Sequence, residues 1–303
     1  MTRVAAVDVG TNSVRLLVAE PGEPLRSLER AMRITRLGAG VDATGHLDDG
    51  ALARTLDCIG DYADRWRALG AERVRISATS AVRDAADRDR FFDGVRARAG
   101  VDAEVLSGDE EATTAFRGAT AAVEGEVPYL VLDIGGGSTE YIRGVDVPEA
   151  MTSRQLGCVR LTERCLPTDP PTADEIQAAY ELVDAELDVV DGLVAPGSAR
   201  TLVGVAGTVT TLAALFVGLE VHDPERVHST RIPIDQVVAL TGRLAVMPVA
   251  ARAALGPMAP GREDVIVGGA LILTRTMERF QFADVLVSES DILDGLALGL
   301  LEG

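Results

Sequence analysis

Apolar residues along the chain fall into short runs broken by glycine turns, alternating with longer stretches of helical spacing. Val4 to Val18 reads as strand, turn, strand: "VAAVDVG", then "TNS", then "VRLLV". Leu130 to Ile142 reads the same way, with "LVLDIG", "GGS" and "TEYI". Asp8 aligns with Asp133, Gly10 with Gly135 and Ser13 with Ser138, an offset of 125 residues. That is a repeat at the scale of a domain, not a solenoid period. Two glycine-turned hairpins at this separation predict two related domains facing one cleft.

Other elements follow from spacing. Leu52, Leu56, Ile59, Ala63 and Trp66 form one helical stripe. Arg73 to Ala78 and Val101 to Leu106 read as short strands. Ser107 opens a helix that buries Ala112, Ala115, Phe116 and Ala119. Thr172 and Glu175 have capping-box spacing at the head of another helix. "TLVGVAGTVTTLAAL" reads as strand, glycine turn, helix. A long helix is predicted from about Arg262 to Phe280, then a strand "DVLVS" and a last helix from about Asp291. The order is mixed α/β throughout. The domain division predicted is 1–117, with the C-terminal helix at about 290–303, against 118–289.

The length of 303 residues and an apolar content of 47% allow sizeable cores in two ordinary domains. No apolar run reaches membrane-spanning length, and the N-terminus enters a strand pattern directly. No membrane span and no signal peptide are therefore expected. Three cysteines, Cys58, Cys158 and Cys165, form no CxxC pair and suit a reducing cytoplasm. The net charge of −18 argues against nucleic-acid or acidic-membrane partners. All 29 basic side chains are Arg, whose planar fork suits oxyanions. An anionic substrate would need positive charge gathered locally against that global field.

The glycine turns are the first candidates for chemistry. A turn free of Cβ atoms lets backbone N–H groups converge on an anion, and an Asp ending the preceding strand can hold a cation beside it. "DVGTNS", "DIGGGSTE" and a third turn, "GVAGT", fit that pattern; tight structural turns are the alternative. In "SGDEEA", Ser107 and Glu110 make a capping box, and Asp109 suits the helix dipole. Glu111 has no such local duty, so it is the candidate for chemistry, or else a solvated helix-face acid. Arg83, at a strand exit, points to a ligand cleft or to a surface pair with Asp84 or Asp87. Arg262 at a helix start invites an anion, or a salt bridge to Glu263 or Asp264. His46, His222 and His228 lack metal-ligand spacing, and no GxSxG or Rossmann fingerprint is present.

In order, "AAVDVGTNSVRLLV", "ATSAVRDA", "SGDEEA", "LDIGGGSTE", "GCVRLTER", "GVAGTVTTLA" and "PGREDVIVGGALIL" resemble the exopolyphosphatase/guanosine pentaphosphate phosphohydrolase (Ppx/GppA) family, in its short two-domain form. The resemblance implies an α/β fold of two ribonuclease-H-like domains flanking a cleft, as in the actin, heat-shock-protein and sugar-kinase superfamily. It implies Mg²⁺-dependent release of terminal phosphate from polyphosphate or guanosine pentaphosphate, with Mn²⁺ as a substitute metal, and a homodimer. Carried onto this chain, it puts the catalytic role on Glu111 and the metal and water-positioning roles on Asp8, Asp133 and Glu140. Phosphate contacts fall on Asn12, Ser13, Arg83, Gly135, Gly136, Gly137, Ser138, Gly207, Thr208 and Arg262. Asp294 stands where family members often carry Arg-Glu-Gly, which alters charge there. Three functions stay open: an exopolyphosphatase, perhaps the short-chain kind given the charge; a guanosine pentaphosphatase; and a non-catalytic actin-like nucleotide module.

Overall fold

The structure is a computed structural model that describes residues 2–22 and 25–302. It divides into two compact units. One runs up to Ala121 and resumes at Ser290; the other is Ala122–Glu289. In chain order the first unit contains β1 (Val4–Val9), β2 (Ser13–Glu20), β3 (Arg26–Ile34), α1 (Val41–Thr44), α2 (Asp49–Ala68), β4 (Arg73–Ala78), α3 (Ser80–Asp84), α4 (Asp89–Ala99), β5 (Ala103–Val105) and α5 (Gly108–Thr120). The second contains β6 (Tyr129–Ile134), β7 (Thr139–Gly144), β8 (Pro148–Arg154), α6 (Cys158–Cys165), α7 (Ala173–Val194), β9 (Thr201–Val205), α8 (Ala206–Val217), α9 (Pro224–Val227), β10 (Arg231–Pro233), α10 (Ile234–Ala245), α11 (Val249–Ala253), α12 (Ile266–Phe280) and β11 (Asp284–Val287). The chain then returns to the first unit with α13 (Ile292–Glu302).

The two sheets repeat one plan. The first has order β3-β2-β1-β4-β5, with antiparallel hairpins on one side and parallel strands on the other. The second has β10-β11-β9-β6-β7-β8, in which β6, β7, β8, β9 and β11 take the places of β1 to β5. This is the ribonuclease-H-like arrangement, present in each unit. β1 and β6 are buried along their whole length, as central strands covered on both faces must be. β3, "RSLERAMRI", is an edge strand with four exposed residues and three arginines, a composition that discourages further pairing. Its weak apolar alternation explains why the pattern along the chain gives no strand there.

Each unit has its own core. In the first, Leu16, Ile59, Tyr62, Trp66, Phe91 and Val95 pack around the sheet. In the second, α7, α8, α10 and α12 supply Val183, Leu187, Leu212, Val237, Leu271 and Met277. Helix starts are satisfied locally. Asp48 accepts a bond from the Ala51 N–H at 2.8 Å, and Thr172 and Glu175 form the expected capping box. The helix predicted from Arg262 begins only at Ile266, because residues 259–265 form a succession of turns. The division between the units falls after α5 rather than within it at residue 117, since α5 packs along its length on α13. His228 ties both ends of the second unit. Its Nε2 bonds the Ala122 carbonyl oxygen at 2.8 Å, and its Nδ1 accepts from the Glu289 N–H at 3.2 Å.

α13 approaches α5 so closely that two glycines are required. A Cβ on Gly118 would overlap the Asp291 carbonyl, and one on Gly295 would overlap that of Thr114. These are backbone atoms and cannot move aside alone. Gly118→Ala or Gly295→Ala is expected to lower stability by about 1–3 kcal/mol, the usual range for overpacking. Gly242→Ala in α10, where an added Cβ meets nothing within 4 Å, should leave stability equal or higher. Urea unfolding of the variants checks both outcomes.

Candidate functional site

The first hairpin turns at Gly10, whose N–H donates to the Ser13 carbonyl at 2.9 Å; Gly135 donates to Ser138 at 3.0 Å in the second. The two loops are the same turn. Asn12 is fixed by its carbonyl, which accepts from Thr35 and Arg36 N–H at 3.0 Å each. The Thr11 hydroxyl pairs with Ser80 at 2.9 Å. In the second loop the carbonyls of Gly135 and Gly136 accept from Cys158, Val159 and Arg160, the first turn of α6. Gly157 makes that seating possible, because a Cβ there would overlap the Gly136–Gly137 peptide. In both loops the carbonyls serve the protein's own hydrogen bonds.

The strand positions beside the turns differ between the units. Asp8 on β1 lies opposite Arg15 on β2. Arg15 donates to Asp8 Oδ2 through Nε at 3.0 Å and Nη2 at 2.7 Å. Burial pushes the Asp8 carboxyl above the usual carboxylate range, and Arg15 opposes that shift. Asp8 Oδ1 is buried and has no hydrogen-bond partner. Arg15 also holds Asp291, the cap of α13, whose Oδ1 accepts the Leu293 N–H at 2.9 Å. In the second unit the equivalent position opposite Asp133 is Glu140. Both are buried, and the Ser153 hydroxyl on β8 donates to Glu140 Oε1 at 2.6 Å.

Glu111 and Arg83 come together. Arg83, in the last turn of α3, donates through Nη1 to Glu111 Oε2 at 3.1 Å and to the Leu106 carbonyl at 3.0 Å. Asp87, the alternative partner, is bound instead by Arg90 and the Leu47 N–H. Glu111 is 7% exposed, so it is not a solvated helix-face acid. Its neighbours Asp109 and Glu110 are exposed, and Glu110 closes the capping box with Ser107. Those two bonds hold Glu110 below its ordinary pKa. The three consecutive acids of "GDEE" thus have separate surroundings.

Gly207 and Arg262 also meet. The Arg262 guanidinium lies where a Gly207 Cβ would be, and its Nη1 donates to the Thr211 hydroxyl at 2.7 Å. Arg262 therefore covers the first turn of α8, where the helix dipole disfavours a cation and an anion would balance it. Ala206, which opens α8, has the left-handed φ of 63°. The Thr208 side chain packs against Gly269 of α12, so only its N–H belongs to that helix end. Cys158 lies close enough to Arg262 for its charge to act, although burial still pushes the thiol up to about 11.

Four residues escaped the sequence reading: Arg15, Asp291, Gly157 and Arg160. Arg160 is buried, bonds Gln155 through its side chain, and donates its N–H to Gly136. Asp294 is also buried, held by Arg30 at 2.6 Å, and its charge is balanced within the first unit. Among the described residues no three His, Cys, Asp or Glu side chains stand together as a metal cage. The opposed pair Asp133 and Glu140 supplies hard oxygen donors of the kind that hold Mg²⁺ with one or two carboxylates and substrate phosphates.

The model of the Ppx/GppA phosphatase family matches residues 17–302. The chain belongs to the Ppx/GppA phosphatase family. It is 46% identical to a Mycobacterium tuberculosis protein named Exopolyphosphatase 2, over 99% of both chains. A crystal structure of an exopolyphosphatase-like protein superposes with a TM-score of 0.94 at 36% identity, covering 98% of each chain. A Vibrio atlanticus protein named guanosine-5'-triphosphate,3'-diphosphate pyrophosphatase is 29% identical over 98% of this chain, which spans 59% of that relative. In this family member Gly157→Ala should displace the Gly136–Gly137 peptide. A misplacement of about 1 Å can lower turnover on the order of a hundredfold. Phosphate release at a matched thermal midpoint measures it.

Proposed function

We propose that this chain is an exopolyphosphatase, a phosphoanhydride hydrolase that releases terminal orthophosphate from inorganic polyphosphate. The observation that carries the reading is Glu111, a buried acid held by Arg83, in a chain alike along its whole length to the mycobacterial exopolyphosphatase. A nucleotide-binding module that only switches conformation needs neither a buried base nor its arginine.

In this reading the amide sides of the two glycine loops, residues 10–13 and 135–138, receive phosphate oxygens. Arg83 and Arg262 add charged donors. Gly207 and Thr208 offer the N–H groups of the α8 terminus. Glu111 orients the attacking water and accepts its proton, so that the P–O bond breaks without a covalent enzyme intermediate. Asp133 and Glu140 would hold Mg²⁺, or Mn²⁺, which when bound neutralises phosphate charge. Short chains are the preferred substrate. The protein carries a net charge of −18, and exposed arginines such as Arg33, Arg65, Arg90, Arg96, Arg98 and Arg279 already hold carboxylates. A long polyanion therefore finds few basic contacts outside the site. We place the protein in the cytoplasm: no described helix is long and apolar enough to cross a membrane, and its three cysteines are free.

Glu111→Gln should lower kcat at least a hundredfold with the fold intact, since a general base is typically worth about 10²–10⁴-fold. Glu110→Gln should keep turnover and mainly loosen the helix start. Near-normal turnover in Glu111→Gln would remove that residue from the mechanism. Phosphate release from short polyphosphate, long polyphosphate, guanosine pentaphosphate and ATP, with Mg²⁺ or Mn²⁺, should be fastest on short polyphosphate. Faster release from guanosine pentaphosphate would reassign the chain to that substrate, and no release at all would favour a binding module.

A further inference from the structure

At equivalent positions of the repeat, Asp8 faces an arginine and Asp133 faces a glutamate. Arg15 is therefore not a remnant of the repeat but a local replacement. Its fork closes on one oxygen only, Asp8 Oδ2, through Nε and Nη2, and its remaining nitrogen reaches Asp291. Two bonds from one rigid plane fix the Asp8 rotamer. Asp291 in turn cannot drift, because its other oxygen caps α13 and its own N–H is held by Asp294 at 2.9 Å. The result leaves Asp8 Oδ1 buried with no donor among the described residues. An ionised carboxylate oxygen kept dry and unmet is a fixed acceptor for something that arrives with substrate.

We propose that Arg15, anchored by Asp291, is a positioning residue of the reaction, holding Asp8 so that its free oxygen is presented in one orientation. Asp8 touches the incoming phosphate's water or hydroxyl; Arg15 acts through Asp8 and never contacts substrate. The inference rests on Asp8 belonging to the site proposed above. It also gives α13 a role at the site, since the cap of that helix is the anchor for Arg15.

The test measures kcat, KM and thermal midpoint on short polyphosphate for Arg15→Gln, Arg15→Lys, Asp8→Asn, the Asp8→Asn/Arg15→Gln double variant and Arg30→Gln. Arg30 belongs to the same buried ionic group but bonds Asp294 rather than Asp8. Arg15→Gln is expected to lose about 10–100-fold in kcat, the usual range for an outer support, with KM little changed. Arg15→Lys should recover part of the loss, because it restores charge without the fork. The double variant should be no slower than Asp8→Asn alone, because both changes remove one function. It also leaves no aspartate unpaired beside the missing guanidinium, so it reports even where Arg15→Gln folds poorly. Arg30→Gln should lower the thermal midpoint and keep kcat. Normal kcat in Arg15→Gln beside an impaired Asp8→Asn would overturn the proposal and leave Asp8 in the site. Losses that multiply in the double variant would overturn it as well. Normal kcat in Asp8→Asn would instead remove Asp8 from the site, and the proposal with it.

Discussion

An ionised carboxylate on the innermost strand of a sheet buried on both faces needs compensating charge or donors within a few ångströms. Asp8 and Asp133 both stand there, at the ends of β1 and β6. The hairpin that follows each one sets what lies opposite, because the Gly10–Ser13 and Gly135–Ser138 turns fix the register. The first unit meets the requirement internally with Arg15 and a cap on α13. The second puts another acid and a serine in the row. One inherited geometry thus gives one self-compensated carboxylate and one pair suited to share an outside cation.

Much of this was legible in the sequence. The offset between "DVGTNS" and "DIGGGSTE" marked the repeat, and the two hairpins have the same turn. The capping-box argument separated Glu111 from Glu110 before any coordinate, because Glu110 already had a partner three residues away. Arg15 was legible too: a turn pairing residue 9 with 14 must pair 8 with 15. Other features were out of reach. Gly157 matters only because α6 seats on a loop twenty residues earlier, and Asp291 matters only because α13 returns to β2. Those are contacts across long stretches of chain, and no local spacing records them. The edge strands β3 and β8 were hidden for another reason: half-exposed strands carry polar residues on both faces.

The arginine content takes on a definite meaning in the fold. With no lysine in the chain, every ion pair made by a Lys or Arg is a guanidinium pair. Most exposed ones are worth little each. The few that are buried differ in kind, since Arg15, Arg83 and Arg160 are set against backbone or acids at the two loops and at Glu111. Positive charge is thereby concentrated in the interior of a strongly acidic protein.

The return of α13 also sets an order of events during synthesis. Residues 122–289 are complete, with their own core, before Asp291 leaves the ribosome. The first unit begins earlier yet finishes later, because its ionic group around Asp8 lacks its anchor until the final residues arrive. A nascent chain stopped short of that point would hold Arg15 with one of its two acids missing. The last helix therefore makes assembly of the first unit conditional on a finished polypeptide.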